Sequence, residues 1–181
     1  VQSISWLFLK NLNWPDISLA LICTSMNILI TGGLHFDGLM DTADGISAGP
    51  SKRVEAMKDS RVGAMGVQSL VIILILQIAA IIKLDFYAPF VFPLAAFWGR
   101  LSQLFAIENY EYMFKKESIS FHHKHWKGIS NEIKPSLIII SMGIIIFLCL
   151  TDLNISNTLF IIFFIFLGFL TAILTPELIN K

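Results

Sequence analysis

Five stretches of this chain run for 18 or more residues with at most one charged side chain each: 17–36, 66–83, 86–107, 135–152 and 156–175. A helix crossing a hydrocarbon core needs about 20 largely apolar residues. In lipid, only structures that satisfy their backbone N–H and C=O groups internally survive. The expectation is therefore an all-α, polytopic integral membrane helical bundle of about five transmembrane helices, forming a single membrane-embedded unit over 1–181. Composition agrees, because 14% of the residues are charged and 55% hydrophobic, whereas soluble domains carry roughly 25% charged residues. The 13 basic and 13 acidic residues balance, and no dense basic stripe marks a nucleic-acid binder. Cys23 and Cys149 each lie alone in an apolar run, as small hydrophobes do. They offer neither a disulfide framework nor a metal signature. The opening VQSISWLFLKNLNWPD lacks a charged n-region and a small-residue cleavage site, so it reads as the tail of an earlier helix or an interfacial piece, not a signal peptide.

Lysine and arginine orient the chain. Loop 37–65 holds Lys52, Arg53, Lys58 and Arg61, and loop 108–134 holds Lys115, Lys116, Lys124, Lys127 and Lys134. By the positive-inside rule both are expected in the cytoplasm. The short connections near Lys83 to Asp85 and Asp152 to Asn157 then fall on the outer face.

The first long loop carries the chemistry. In TGGLHFDGLMDTADG, residues 31–45, Asp37, Asp41 and Asp44 follow one another at spacings of four and three, which places them on one face of a helix. Like charges stacked this way repel, and a divalent cation turns the repulsion into binding. Carboxylate oxygens without thiolate or imidazole partners suit Mg²⁺, which completes its octahedron with water and substrate phosphates. Gly38 and Gly45, with Gly32 and Gly33, frame the carboxylates and either admit a phosphorylated ligand or serve close helix packing. Further along, EAMKDSRVGAMG, residues 55–66, presents Lys58, Asp59 and Arg61 ahead of Gly63 and Gly66. Arginine offers a planar fork to phosphate and lysine a point charge. Metal-binding carboxylates beside phosphate-binding cations suit diphosphate chemistry.

GGLHFDGLMDTADG followed by MKDSRVGAMG resembles the paired signature of the cobalamin synthase family, the adenosylcobinamide-GDP ribazoletransferases of vitamin B12 assembly. The resemblance implies a multi-pass enzyme of the cell inner membrane, dependent on Mg²⁺, with its active-site loops facing the cytoplasm. Such an enzyme joins adenosylcobinamide-GDP to α-ribazole, or to its 5′-phosphate, and releases GMP. It further implies small-molecule substrates, a lipid bilayer, no nucleic acid, and room for a complex with other cobalamin-assembly enzymes. Family members usually carry a further membrane segment first and a glycine-rich acidic motif last, so the chain is expected to be incomplete at both ends. In this reading Asp37, Asp41 and Asp44 hold Mg²⁺ against the diphosphate, and Arg61 and Lys58 grip phosphate oxygens beside Gly38, Gly45 and Gly63. Asp59 is a second metal ligand or orients Arg61, and His35 and one aspartate compete to accept the proton of the attacking hydroxyl.

Two features outside that loop need placing. Arg100, inside the third apolar run, is costly in lipid and is read as functional, reaching the same site from the cytoplasmic half of its helix. FHHKHW, residues 121–126, has three histidines but no carboxylate or cysteine at ligand spacing, so it is expected to be an interfacial loop and not a zinc site. Two other classes share some of these features. A CDP-alcohol phosphatidyltransferase would show an alanine-arginine pair after its first D-G, absent here, and a cation transporter would set its carboxylates near mid-membrane.

Overall fold

The computed structural model describes residues 1–110, 125–138, 140–141, 144 and 155–180. Lys115, Lys116, Lys124, His122, His123, Cys149 and most of the 135–152 run lie outside them. Every regular element among the described residues is helical. The chain groups into two compact units, Val1–Pro89 and Phe90–Lys181.

In the first unit, α1 (Gln2–Asn11) and α2 (Asp16–Thr31) form an antiparallel pair. Gln2 Nε2 donates to the Cys23 carbonyl at 2.9 Å, and Lys10 Nζ bonds Asp16 Oδ1 at 2.5 Å at the other end. Trp6, Leu19 and Cys23 fill the seam between them and are almost wholly buried. α2 is shorter than the expected 17–36 span, because Gly32 and Gly33 both take positive φ (62° and 76°) and end it. The Gly33 N–H closes onto the Ile28 carbonyl at 2.9 Å, a left-handed stop that residues with a Cβ rarely make. The chain turns by 87° into α3 (Leu34–Ser47).

After the one-turn α4 (Arg53–Ala56), α5 (Ala64–Leu84) runs back antiparallel to α2. Lys10 marks this arrangement, since the same ammonium that holds Asp16 at the start of α2 also holds Asp85, just past the end of α5, at 2.6 Å. Asp85, at φ 42°, breaks the helix, and a 3₁₀ turn (Asp85–Tyr87) leads to α6 (Ala88–Asn109). The apolar stretch Ala64–Asn109 is the one among the described residues that is long and apolar enough to cross a membrane, and α2 with α3 is a bent second candidate. Only 11% of the most apolar window in Ala64–Asn109 is buried inside the protein, so a soluble core does not account for it. Val67, Val71, Ile75 and Leu76 stand exposed along α5, as side chains facing lipid do.

The second unit contains α6 from Phe90 onward, the short α7 (Ile129–Glu132) and α8 (Ile155–Asn180). Here α8 lies against Trp98, where Gly168 leaves space that any Cβ would take from the indole ring. Phe169 meets the same indole edge to face, with ring centres 6.4 Å apart.

Candidate functional site

All three aspartates of the first motif lie on α3. Asp41 feels its neighbours: burial of its own carboxyl, then the charges of Asp37 and Asp44, raise it above its ordinary pKa. Asp37 and Gly38 are exposed, as is His35 one turn from the glycine corner. Gly45 is buried against α4, where a Cβ would stand 2.6 Å from Met57 Cγ and 3.2 Å from the Arg53 carbonyl.

Asp44 reaches across to the second motif. Its Oδ2 accepts the Gly63 N–H and its Oδ1 the Gly66 N–H, both at 2.8 Å. These amides begin α5, where the first-turn donors have no partner within the helix. No signal in the local pattern marks this bond, since the carboxylate arrives from 19 and 22 residues away. The two motifs, separate in sequence, are thereby one structural feature.

Between them hangs the cationic segment. The Arg61 guanidinium forks onto Asp59, with Nε 3.0 Å from Oδ1 and Nη2 2.7 Å from Oδ2, and the Arg61 backbone N–H also donates to Oδ1 at 3.0 Å. Held this way, Asp59 falls to a pKa of about 2, and Arg61 rises above its ordinary value for the same reason. Arg61 is nonetheless 88% exposed, so the rest of its fork faces outward. It lies two positions before Gly63, a reach of at most about 7 Å along the backbone. Lys58 is exposed in the same segment. Arg100 belongs to the other unit and donates from Nη1 to Gln103 Oε1 at 2.6 Å within its own helix.

Among the described residues no three His, Cys, Asp or Glu side chains are gathered into a ready-made metal cluster. Both Asp44 oxygens already accept backbone hydrogen bonds, whereas among the described residues no hydrogen bond engages the carboxylate of Asp37 or Asp41. Mg²⁺ fits such a pair, because it is commonly held by one or two carboxylates plus water and substrate phosphates and not by an all-protein cage.

These elements describe an all-helical protein with a strongly apolar span, in which a carboxylate-bearing helix is fastened to a cation-bearing loop. The profile of the family described as Cobalamin-5-phosphate synthase matches residues 1–181, and the chain belongs to that family. It is similar to an adenosylcobinamide-GDP ribazoletransferase of Prochlorococcus marinus, with 47% identity over 97% of this chain and 68% of the relative. A second, from another strain of Prochlorococcus marinus (MIT 9303), is 37% identical over 100% of this chain and 70% of its own. One from Trichormus variabilis is 39% identical over 61% of this chain and 44% of its own. No solved structure matches. Nothing in these likenesses favours the phosphatidyltransferase or transporter readings.

Proposed function

We propose that the chain is an adenosylcobinamide-GDP ribazoletransferase, acting late in cobalamin biosynthesis. The observation that carries this reading is the family match over the whole chain, joined to the direct bond between its two signature motifs at Asp44.

The reaction joins a ribazole hydroxyl to the corrin-side phosphorus of a diphosphate ester. An O–P bond forms there, the bridging P–O bond breaks, GMP leaves with the electron pair, and the hydroxyl proton passes to a base. Asp37 and Asp41 would hold Mg²⁺, which when bound neutralises the diphosphate and stabilises the leaving phosphate. Arg61 and Lys58 would grip phosphate oxygens, Arg61 through its fork, while Asp59 orients that fork. His35, exposed near the start of α3, and an aspartate not engaged by the metal are the candidates to accept the proton. Gly38, exposed on α3 with no atom near its absent Cβ, leaves the approach to Asp37 and Asp41 free of a side chain in this reading.

For the membrane, we read five spans in a multi-pass protein of the cell inner membrane. The 46 residues of Ala64–Asn109 are about twice what one crossing needs, and Asp85 divides them. Loops 37–65 and 108–134 then face the cytoplasm, where nucleotide-activated substrates are made. Purified protein given adenosylcobinamide-GDP, α-ribazole and Mg²⁺ should yield GMP and a cobalamin in equal amounts. Loss of both products in excess chelator is expected, as is their loss in Asp37→Asn and Asp41→Asn. Undiminished turnover in chelator would remove Mg²⁺ from this reading.

A further inference from the structure

We propose that Asp44 is a positioning residue, the clasp that fixes the start of α5 and the cationic segment against α3, and not a ligand of the divalent cation. The proposal rests on the reading that Asp37 and Asp41 bind that cation.

Three observations carry it. Each Asp44 oxygen accepts one N–H, from Gly63 and Gly66, at 2.8 Å. Gly63 is the residue that caps α5, and with no side chain it cannot satisfy the helix's first amides itself. Asp44 supplies from another helix the oxygens that a local Ser or Asp usually provides. The second observation is steric. A Cβ at Gly63 would run into the Asp44 carboxyl, and one at Gly66 would stand 2.5 Å from Oδ2 and 3.1 Å from Met40 Cβ. Both glycines are thus fitted to the carboxylate, and α3 can approach α5 only because they are bare.

Electrostatics supply the third. A helix N-terminus carries roughly half a positive charge, which attracts a carboxylate and repels a cation. A cation bound at Asp44 would sit against the positive end of α5. Asp41 and Asp37 lie about one and two turns nearer the start of α3 than Asp44 does. Asp44 therefore serves the site through backbone placement: with Gly63 held, the backbone of Arg61, two positions earlier, is tethered within about 7 Å of that point.

The test uses the full chain in detergent, with four proteins: wild type, Asp44→Asn, Asp41→Asn and Gly66→Ala. Asparagine keeps one acceptor but turns an NH₂ toward the other amide, and alanine at 66 displaces the carboxyl while leaving every charge in place. Hydrogen exchange of amides 63–66 should accelerate about fivefold or more in Asp44→Asn and Gly66→Ala, the usual worth of a lost cap, and stay unchanged in Asp41→Asn. Mn²⁺ binding, followed by electron paramagnetic resonance without substrate, should fall about tenfold or more in Asp41→Asn, equivalent to roughly 1.4 kcal/mol. It should change less than about threefold in Asp44→Asn and Gly66→Ala. The KM for adenosylcobinamide-GDP should rise in both clasp variants while that for α-ribazole holds, a split that general loosening of the fold would not produce. Unchanged exchange at 63–66 in Asp44→Asn, or a loss of Mn²⁺ affinity there equal to that of Asp41→Asn, would overturn the assignment. Should Asp44→Asn not fold, Gly66→Ala decides by the same two readouts. Wild type that binds no Mn²⁺ would instead sink the cation reading, and the exchange arm would still decide whether Asp44 is the clasp.

Discussion

Arg61 shows how much one side chain can be asked to do. Its fork is shared between Asp59 and, in the reaction proposed, the diphosphate. Lysine cannot reproduce a planar fork, so Arg61→Lys should weaken adenosylcobinamide-GDP binding or turnover about tenfold, roughly 1.4 kcal/mol, with the KM for α-ribazole little changed. Normal kinetics with both substrates would remove Arg61 from the phosphate site. The pairing itself has a pH signature. Asp59 is depressed to about 2 by the Arg61 hydrogen bonds, so the pair is intact above the ordinary carboxylate pKa and lost as pH falls through about 2. The Arg61 Nε–H signal in a nitrogen NMR spectrum should therefore hold steady down to about pH 3, below the ordinary Asp value of roughly 3.9. A transition centred near that ordinary value would mean Asp59 and Arg61 are apart in solution.

Two joints set the helices of the first unit. At the α2–α3 corner, Gly32 and Gly33 hold positive φ with no atom near their absent Cβ positions. Alanine there meets no clash, only the left-handed backbone cost of about 1–2 kcal/mol per residue. Thermal unfolding in detergent should show Gly33→Ala destabilised by that amount, and an unchanged midpoint would mean the corner relaxes. At the opposite end Lys10 ties Asp16 and Asp85 together, but all three groups are about half exposed. Such pairs are worth about 0.2–1 kcal/mol each, so Lys10→Met, which removes both, should cost about 0.4–2 kcal/mol. The carboxylate helix was legible in the sequence because spacings of four and three betray a helical face directly. The corner was not, since paired glycines in an apolar run look equally like small residues for helix packing, and the 17–36 window ran straight through them. Neither the Lys10 bridge nor the Asp44 clasp has a local pattern, as their partners lie up to 75 and 22 residues away. The Asp59 and Arg61 pair was readable as one of two alternatives, because two residues of separation allow it without requiring it.

At the scale of the whole molecule, the apolar runs and the lysine count make a prediction about sides. Cysteines placed at Ser51 and Ser130 should resist an impermeant thiol reagent in intact cells and react after lysis; labelling of Ser51→Cys without lysis would reverse the topology. Antiparallel α2 and α5 return the chain to one end, where α3 and the start of α5 meet. The reaction proposed transfers the corrinoid-bearing phosphoryl group of adenosylcobinamide-GDP to a ribazole hydroxyl, by attack on the corrin-side phosphorus, with GMP as the leaving group. The most direct measurement supplies purified protein with adenosylcobinamide-GDP labelled at the guanosine-side phosphorus, together with α-ribazole and Mg²⁺, and follows the label. All of it is expected in GMP, with an equal amount of unlabelled cobalamin formed. Label in the corrinoid product, or no cobalamin from the wild-type chain, would contradict the claim.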